Sequence, residues 1–199
     1  MLEIRIDRAQ LERITQALNP RELQRAVRNA TDTAATAIKK IAIEEVTNIY
    51  RITSKRVSTT EETNEPTITT IRTTQTKPYA ILRFSRNKFR LDNFTLNTLP
   101  WTKVPRIKGW VPLWRYKRVG AISTVPKGFV GEGKLAPPYG TIWRRSSKGS
   151  TKIRKCFGLS LNEMMKDKNI LAGVKRQGVG ILISKLQEQT RKQIAKRKG

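Results

Sequence analysis

The residue types that carry most protein chemistry are nearly missing from this chain. It has no histidine and a single cysteine, Cys156. Without imidazole there is no Ser-His-Asp or Cys-His nucleophile pair and no nitrogen ligand for a metal. One cysteine forms neither an intramolecular disulfide nor a thiolate zinc site. Cys156, beside Phe157, reads as a small buried hydrophobe. Two stretches imitate reactive motifs. Gly128-Phe129-Val130-Gly131-Glu132-Gly133-Lys134 has the glycine and lysine spacing of a phosphate-binding P-loop. Leu135, however, stands where a Ser or Thr must reach magnesium, and Pro137-Pro138 follow where the helix must begin. Asp92 with Glu132-Gly133-Lys134 echoes the carboxylates and lysine of a magnesium nuclease, yet Gly131 and Gly133 mark a loop rather than the strand such a site needs. The expectation is a protein that is not an enzyme and holds no cofactor or metal.

Charge is what the chain has in abundance. Its 199 residues include 41 Lys and Arg against 15 Asp and Glu, a formal net charge of +26. A free monomer of that charge repels itself, so the sequence predicts a resident partner that is acidic, either nucleic acid or an acidic protein assembly. From Pro66 to Asn162 the only acids are Asp92 and Glu132. Arg86, Lys88, Arg90, Arg115, Lys117, Arg118, Arg144 and Arg145 are candidate contacts to DNA or an acidic partner there. Trp101, Trp110, Trp114 and Tyr116 lie among them. They can stack on unpaired bases, but their Pro, Val and Leu neighbours favour core or protein-interface anchors. No helix carries base-reading side chains on one face, so sequence-specific readout is not expected. The opening Met1-Leu2-Glu3-Ile4-Arg5 lacks the apolar stretch of a signal peptide, and no run approaches the about 18 apolar residues of a membrane span. With its single cysteine, the chain reads as a soluble, internal protein of a reducing cytoplasm with no membrane partner.

The elements that must position these residues follow from periodicity. Leu23, Val27, Ala30, Ala34, Ala37, Ile38, Ile41, Ala42 and Ile49 recur at helical steps, and Asn19-Pro20 supplies a cap and a first-turn proline, predicting a helix over 20–51. Its many alanines allow a neighbour to approach closely. A shorter helix over 8–18 and a brief strand over 3–6 precede it. Thr67–Thr73 and Tyr79–Phe84 read as two antiparallel strands turning at Gln75–Pro78. Asn87–Tyr139 has little periodicity, apart from Trp110, Pro112, Trp114 and Tyr116 alternating, and reads as short strands plus an extended excursion. A second hairpin is expected from Thr141–Arg145 and Ser150–Phe157. A closing helix is placed over 174–198, its start weakened by Gly178 and Gly180. The fold class is α+β: long N-terminal and C-terminal helices on a small antiparallel sheet, one domain over 1–199, with an arm or insertion over 87–120.

Taken in order, these segments resemble the minor tail protein Z family of tailed bacteriophages, the tail-completion proteins. The resemblance runs through Ala26-Val27-Arg28-Asn29-Ala30 and Ala34-Ala35-Thr36-Ala37-Ile38, then the basic Ile52-Thr53-Ser54-Lys55-Arg56-Val57. It continues in Val125-Pro126-Lys127-Gly128-Phe129-Val130 and Gly140-Thr141-Ile142-Trp143-Arg144-Arg145, followed by a short β-run and the last helix. It covers both ends and the stretch from Gly128 to Phe157, whereas Asn87–Arg118 is poorly matched. It adds Phe129 and Trp143 to the candidate anchors and Lys55 and Arg56 to the candidate contacts. The resemblance implies a structural virion protein at the head–tail neck, assembled in the host cytoplasm. It further implies a homo-oligomeric, hexameric ring around the DNA channel that meets tail-terminator, tail-tube or other neck proteins. In that setting Trp101, Trp110 and Trp114 would anchor a neighbouring subunit. Composition alone argues as well for a non-specific nucleic-acid-binding protein of ribosomal or nucleoid type.

Overall fold

Asn19 and Pro20 punctuate the first part of the chain. A residue before proline is pushed out of the helical region, so a helix reaching Leu18 cannot run on. In the computed structural model helix α1 (Arg8–Thr15) stops short of the expected Leu18, and the Leu18 amide closes a turn on the Thr15 carbonyl at 2.9 Å. Helix α2 (Pro20–Ile49) then starts with a reciprocal cap. The Glu22 amide donates to Asn19 Oδ1 at 3.0 Å and the Asn19 amide donates to Glu22 Oε2 at 3.1 Å. The structure describes residue 4 and residues 8–59, 65–71, 80–94, 102–103, 110–111, 113–120, 123–124, 128–130, 142–146 and 151–198. The strand expected over 3–6 and the turn at Gln75–Pro78 lie outside the described residues, Ile4 excepted. Sequence reading took residues 1–199 as one domain. Within it the chain clusters into two compact units, residues 1–45, 68–85 and 165–199, and residues 46–67 and 86–164. Each unit interleaves separate stretches, so no single cut releases either.

In the first unit α2 buries Ala26, Ala30, Ala34, Ala35, Ile38 and Ala42 along one stripe. The closing helix α5 (Lys168–Lys198) begins six residues before the expected Val174. Asp167 explains the difference: its Oδ1 accepts the Asn169 amide at 3.0 Å and its carbonyl the Leu171 amide at 3.0 Å, while Ile170 and Val174 are fully buried. The glycines do not interrupt this helix. A Cβ on Gly178 would meet Ile4 Cδ1 and lie 3.5 Å from Ile38 Cδ1, and one on Gly173 would lie 2.9 Å from Glu45 Oε1. Both glycines therefore sit where α2 approaches. A Cβ on Gly180 would meet no other part of the fold within 4 Å among the described residues, and the residue is exposed. Gly180→Ala is expected to stabilise the first unit by about 1 kcal/mol through helix propensity alone, measured by chemical denaturation. Gly178→Ala should return less of that gain, because Ile4 must move.

Basic residues at the end of α5 are tied into ion pairs rather than left to the helix dipole alone. Arg197 Nε donates to Glu22 Oε1 at 2.6 Å, and its Nη1 to the Ala17 carbonyl at 3.0 Å. The Arg197 hydrogen bond holds the Glu22 carboxyl below its ordinary pKa. Glu188, between Lys185 and Lys192, is lowered to about 2 by hydrogen bonds from those two ammonium groups. Strands β1 (Ile68–Ile71) and β2 (Ile81–Phe84) pair antiparallel, Ile68 opposite Phe84, giving the expected first hairpin pairing. Ile68 and Leu82 are buried on one face, and Thr69 and Arg83 are exposed on the other.

The second unit is built around Phe94. It includes α3 (Ser54–Ser58), β3 (Lys88–Arg90) running into a 3-10 turn (Leu91–Phe94), and several short strands: β4 (Thr102–Lys103), β5 (Trp110–Val111), β6 (Leu113–Trp114) and β7 (Ser123–Thr124). β4 pairs with β5 and β6 with β7. β8 (Gly128–Val130), β9 (Ile142–Arg145) and β10 (Ile153–Lys155) form a three-stranded antiparallel sheet with β9 central. The α+β class therefore holds, but the strands lie in several small sheets rather than one.

The strand expected over Ser150–Phe157 divides at Cys156. The Cys156 amide donates to Ile142 O at 2.9 Å while its carbonyl accepts the Leu91 amide at 2.9 Å. One continuous segment thus leaves β9 and joins β3 as β11 (Phe157–Ser160). Contrary to the sequence reading, Cys156 is only half-buried and Phe157 is 46% exposed, because this switch holds the pair at the junction of two sheets. Ser160 then caps the short α4 (Leu161–Met164): the Ser160 amide donates to Glu163 Oε2 at 2.7 Å, and the Glu163 amide donates to Ser160 Oγ at 3.2 Å.

Candidate functional site

Chemistry at the imitated motifs meets little support in their surroundings. Gly128–Val130 is strand β8, paired with β9, and Gly131–Leu135 lie outside the described residues. Asp92 is taken by an ion pair: Arg90 Nη2 lies 2.5 Å from Asp92 Oδ2 and Arg90 Nε donates to Oδ1 at 3.1 Å. Glu132 is outside the described residues, and among the described residues no group of three His, Cys, Asp or Glu side chains could hold a metal ion.

The basic candidates of the second unit fall into two sets. One set holds the unit together. Tyr50 leaves α2 to bridge with Lys117, whose Nζ lies 5.7 Å above the Tyr50 ring, a cation–π distance. This ends α2 two residues before the expected Arg51. Arg118 caps the same helix end, its amide donating to Ile49 O and its Nε to Thr47 O, both at 2.8 Å. Arg115 is half-buried, its Nη1 reaching Gly120 O at 3.4 Å, and Arg90 is held by Asp92 as above. Tyr116 is likewise internal: its ring meets Phe94 edge-on at 5.0 Å, and burial, then the Glu163 carboxylate, raise its pKa. Both ends of the expected arm over 87–120 are therefore anchored: Phe89, Leu91 and Phe94 are buried, and residues 115–118 are pinned to the end of α2.

The other set points to solvent. Lys55 and Arg56 are exposed on α3, Arg86 and Lys88 at the start of β3, and Arg144 and Arg145 on β9. On the three-stranded sheet the register makes two rows. Phe129, Trp143 and Lys155 are paired across the three strands in one row, and Gly128, Arg144 and Arg154 in the next. Arg154, another cation of the basic middle, is thus directly opposite Arg144. Residue counting could not reveal this, because the connection between β9 and β10 leaves the register open. Arg144 also faces Cys156: burial pushes the thiol up and the guanidinium partly offsets it. Trp110 and Trp114 lie on β5 and β6, and Trp101 is outside the described residues.

No protein-family model, curated protein or solved structure matches this chain. The functional reading therefore stands on the order of the sequence segments and on this surface. Among the described residues no helix is long and apolar enough to cross a membrane.

Proposed function

We propose that the chain is a non-enzymatic structural subunit that works against nucleic acid, in the tail-completion role that the minor tail protein Z resemblance implies. It would be a minor tail component at the head–tail neck of a tailed phage, assembled as a ring of copies around the DNA channel. The observation that carries the reading is the exposed set Arg86, just before β3, Lys88 on β3 and Arg144 on β9, in the stretch from Pro66 to Asn162 whose only acids are Asp92 and Glu132, with Lys55 exposed on α3 ahead of it. A surface of this kind is compatible with a partner of high negative charge density, which would neutralise the repulsion that a ring of such subunits would otherwise suffer. Trp110 and Trp114, flanking Pro112 and Leu113, are the proposed contacts to neck proteins. The same cations favour a second reading, a sequence-independent nucleic-acid-binding protein outside any virion.

A tagged copy purified from its producing cells, after nuclease digestion in high salt, separates the two. Retention of tail-tube, terminator or head-neck proteins, identified by mass spectrometry, is the expected result. Recovery of ribosomal proteins, or loss of every partner once nucleic acid is digested, decides for the second reading.

A further inference from the structure

Like charges placed directly opposite across two strands destabilise a sheet. Arg144 on the central strand β9 is directly opposite Arg154 on β10, and both are exposed. Among the described residues neither has an acidic partner or a hydrogen-bond acceptor. The third place in the same row, on the far side of Arg144, is Gly128 of β8, which has no side chain to occupy it. A glycine within a strand commonly marks a place where a ligand or another backbone comes close. The sheet holds the row in place. β9 is hydrogen-bonded on both sides, and Ile142, two residues before Arg144 on the same face, is completely buried.

We propose that Arg144 and Arg154 form a phosphate clamp for a nucleic-acid backbone, with the strand of phosphates passing over Gly128. The proposal rests on the reading of this surface as one that faces nucleic acid, and it assigns the contact to particular residues. Guanidinium forks suit phosphate oxygens, and an anion between two of them converts their repulsion into attraction to a shared partner. A single carboxylate is satisfied by one bidentate arginine, whereas duplex DNA presents one negative charge per about 1.7 Å of axis and can serve both. The contact goes to the sugar-phosphate backbone and carries no base information.

The test is binding of the full chain to a fluorescent mixed-sequence DNA duplex across a salt series. For Arg144→Gln/Arg154→Gln the slope of log Kobs against log salt is expected to fall by about 1.8, the value for two lost phosphate contacts, with affinity down at least about tenfold at low salt. Gly128→Val, which suits a strand and leaves the charge unchanged, should weaken binding by putting a branched side chain into the row beside Arg144. Lys175→Gln/Arg176→Gln, an equal charge loss on exposed positions of α5, should leave the slope nearly unchanged. In the free protein Arg154→Gln should hold Tm or raise it by about 1–3 °C at low salt, because it removes the opposed charge. A fall in Tm means the pair supports the sheet, and overturns the proposal. Steep salt dependence in the wild type with the same slope in the double variant overturns the clamp alone. No DNA binding by the wild type overturns the clamp together with the reading beneath it. Polyglutamate competing as well as DNA at equal charge overturns phosphate as the ligand.

Discussion

Phe94→Ala is expected to destabilise the second unit by about 3–5 kcal/mol, the usual cost of removing a fully buried phenylalanine. The side chain is completely buried, meets Tyr116 edge-on at 5.0 Å with the ring planes at 85°, and sits on a residue whose carbonyl accepts the Arg115 amide at 3.1 Å. Its removal therefore loosens both the 3-10 turn and the 115–118 segment that caps α2. The pocket is also tight from the opposite side. A Cβ on Gly158 would lie 2.9 Å from Phe94 Cε2 and 2.9 Å from Tyr116 Cε1, atoms of stiff rings that cannot swing aside like the end of a flexible chain. Gly158→Val should thus cost about 1–3 kcal/mol by overpacking. The Phe94→Ala/Gly158→Val pair should cost less than the sum of the two, since the valine enters the space the ring vacates. Denaturant unfolding followed by near-UV circular dichroism reads all three. Additive losses would mean that the two positions do not share one pocket.

What was legible in the sequence was local. Asn19 and Pro20 mark the start of α2 because a cap acts within one turn, and the structure adds Glu22 as the reciprocal partner. The pairings β1 with β2 and β9 with β10 follow from neighbouring apolar and β-branched runs. The start of α5 is less legible, because Gly178 and Gly180 weaken the helical pattern that Asp167 begins, yet a helix keeps a glycine where a neighbour presses on it. Pairings between distant segments left no local trace. β3 meets β11 across a long stretch of chain, and Arg118 caps a helix 71 positions before it.

The candidate site shows the same division. Composition pointed to a cation-rich middle, and the structure divides it by task. Arg90, Arg115, Lys117 and Arg118 serve the unit's own fold, while Arg144 and Arg154 are exposed in one row with no acidic partner among the described residues. Net charge cannot make that distinction, because a helix cap and a phosphate contact have the same formal charge. Substitution can: removal of Arg118 should unpin a helix end, whereas removal of Arg154 should spare the fold.

Ala34→Leu is the second large effect, expected to cost the first unit about 1–3 kcal/mol through overpacking. Ala34 is 1% exposed and lies one turn before Ile38, whose Cδ1 would be 3.5 Å from a Cβ on Gly178 of α5, and on the stripe that reaches Glu45, which faces Gly173. Alanines on one helix and glycines on the other are what two helices need to approach closely, since interaxial distance is set by the side chains between them. A leucine introduces a branched side chain into that seam. Thr33→Leu, one position away on the exposed side of α2, places the same leucine side chain outside the seam and should move stability by no more than about 0.5 kcal/mol. Denaturation of the two variants side by side therefore tests the seam rather than leucine's effect on a helix. Equal losses would trace the cost to the helix itself, and a neutral Ala34→Leu would mean that α5 does not close on this stripe.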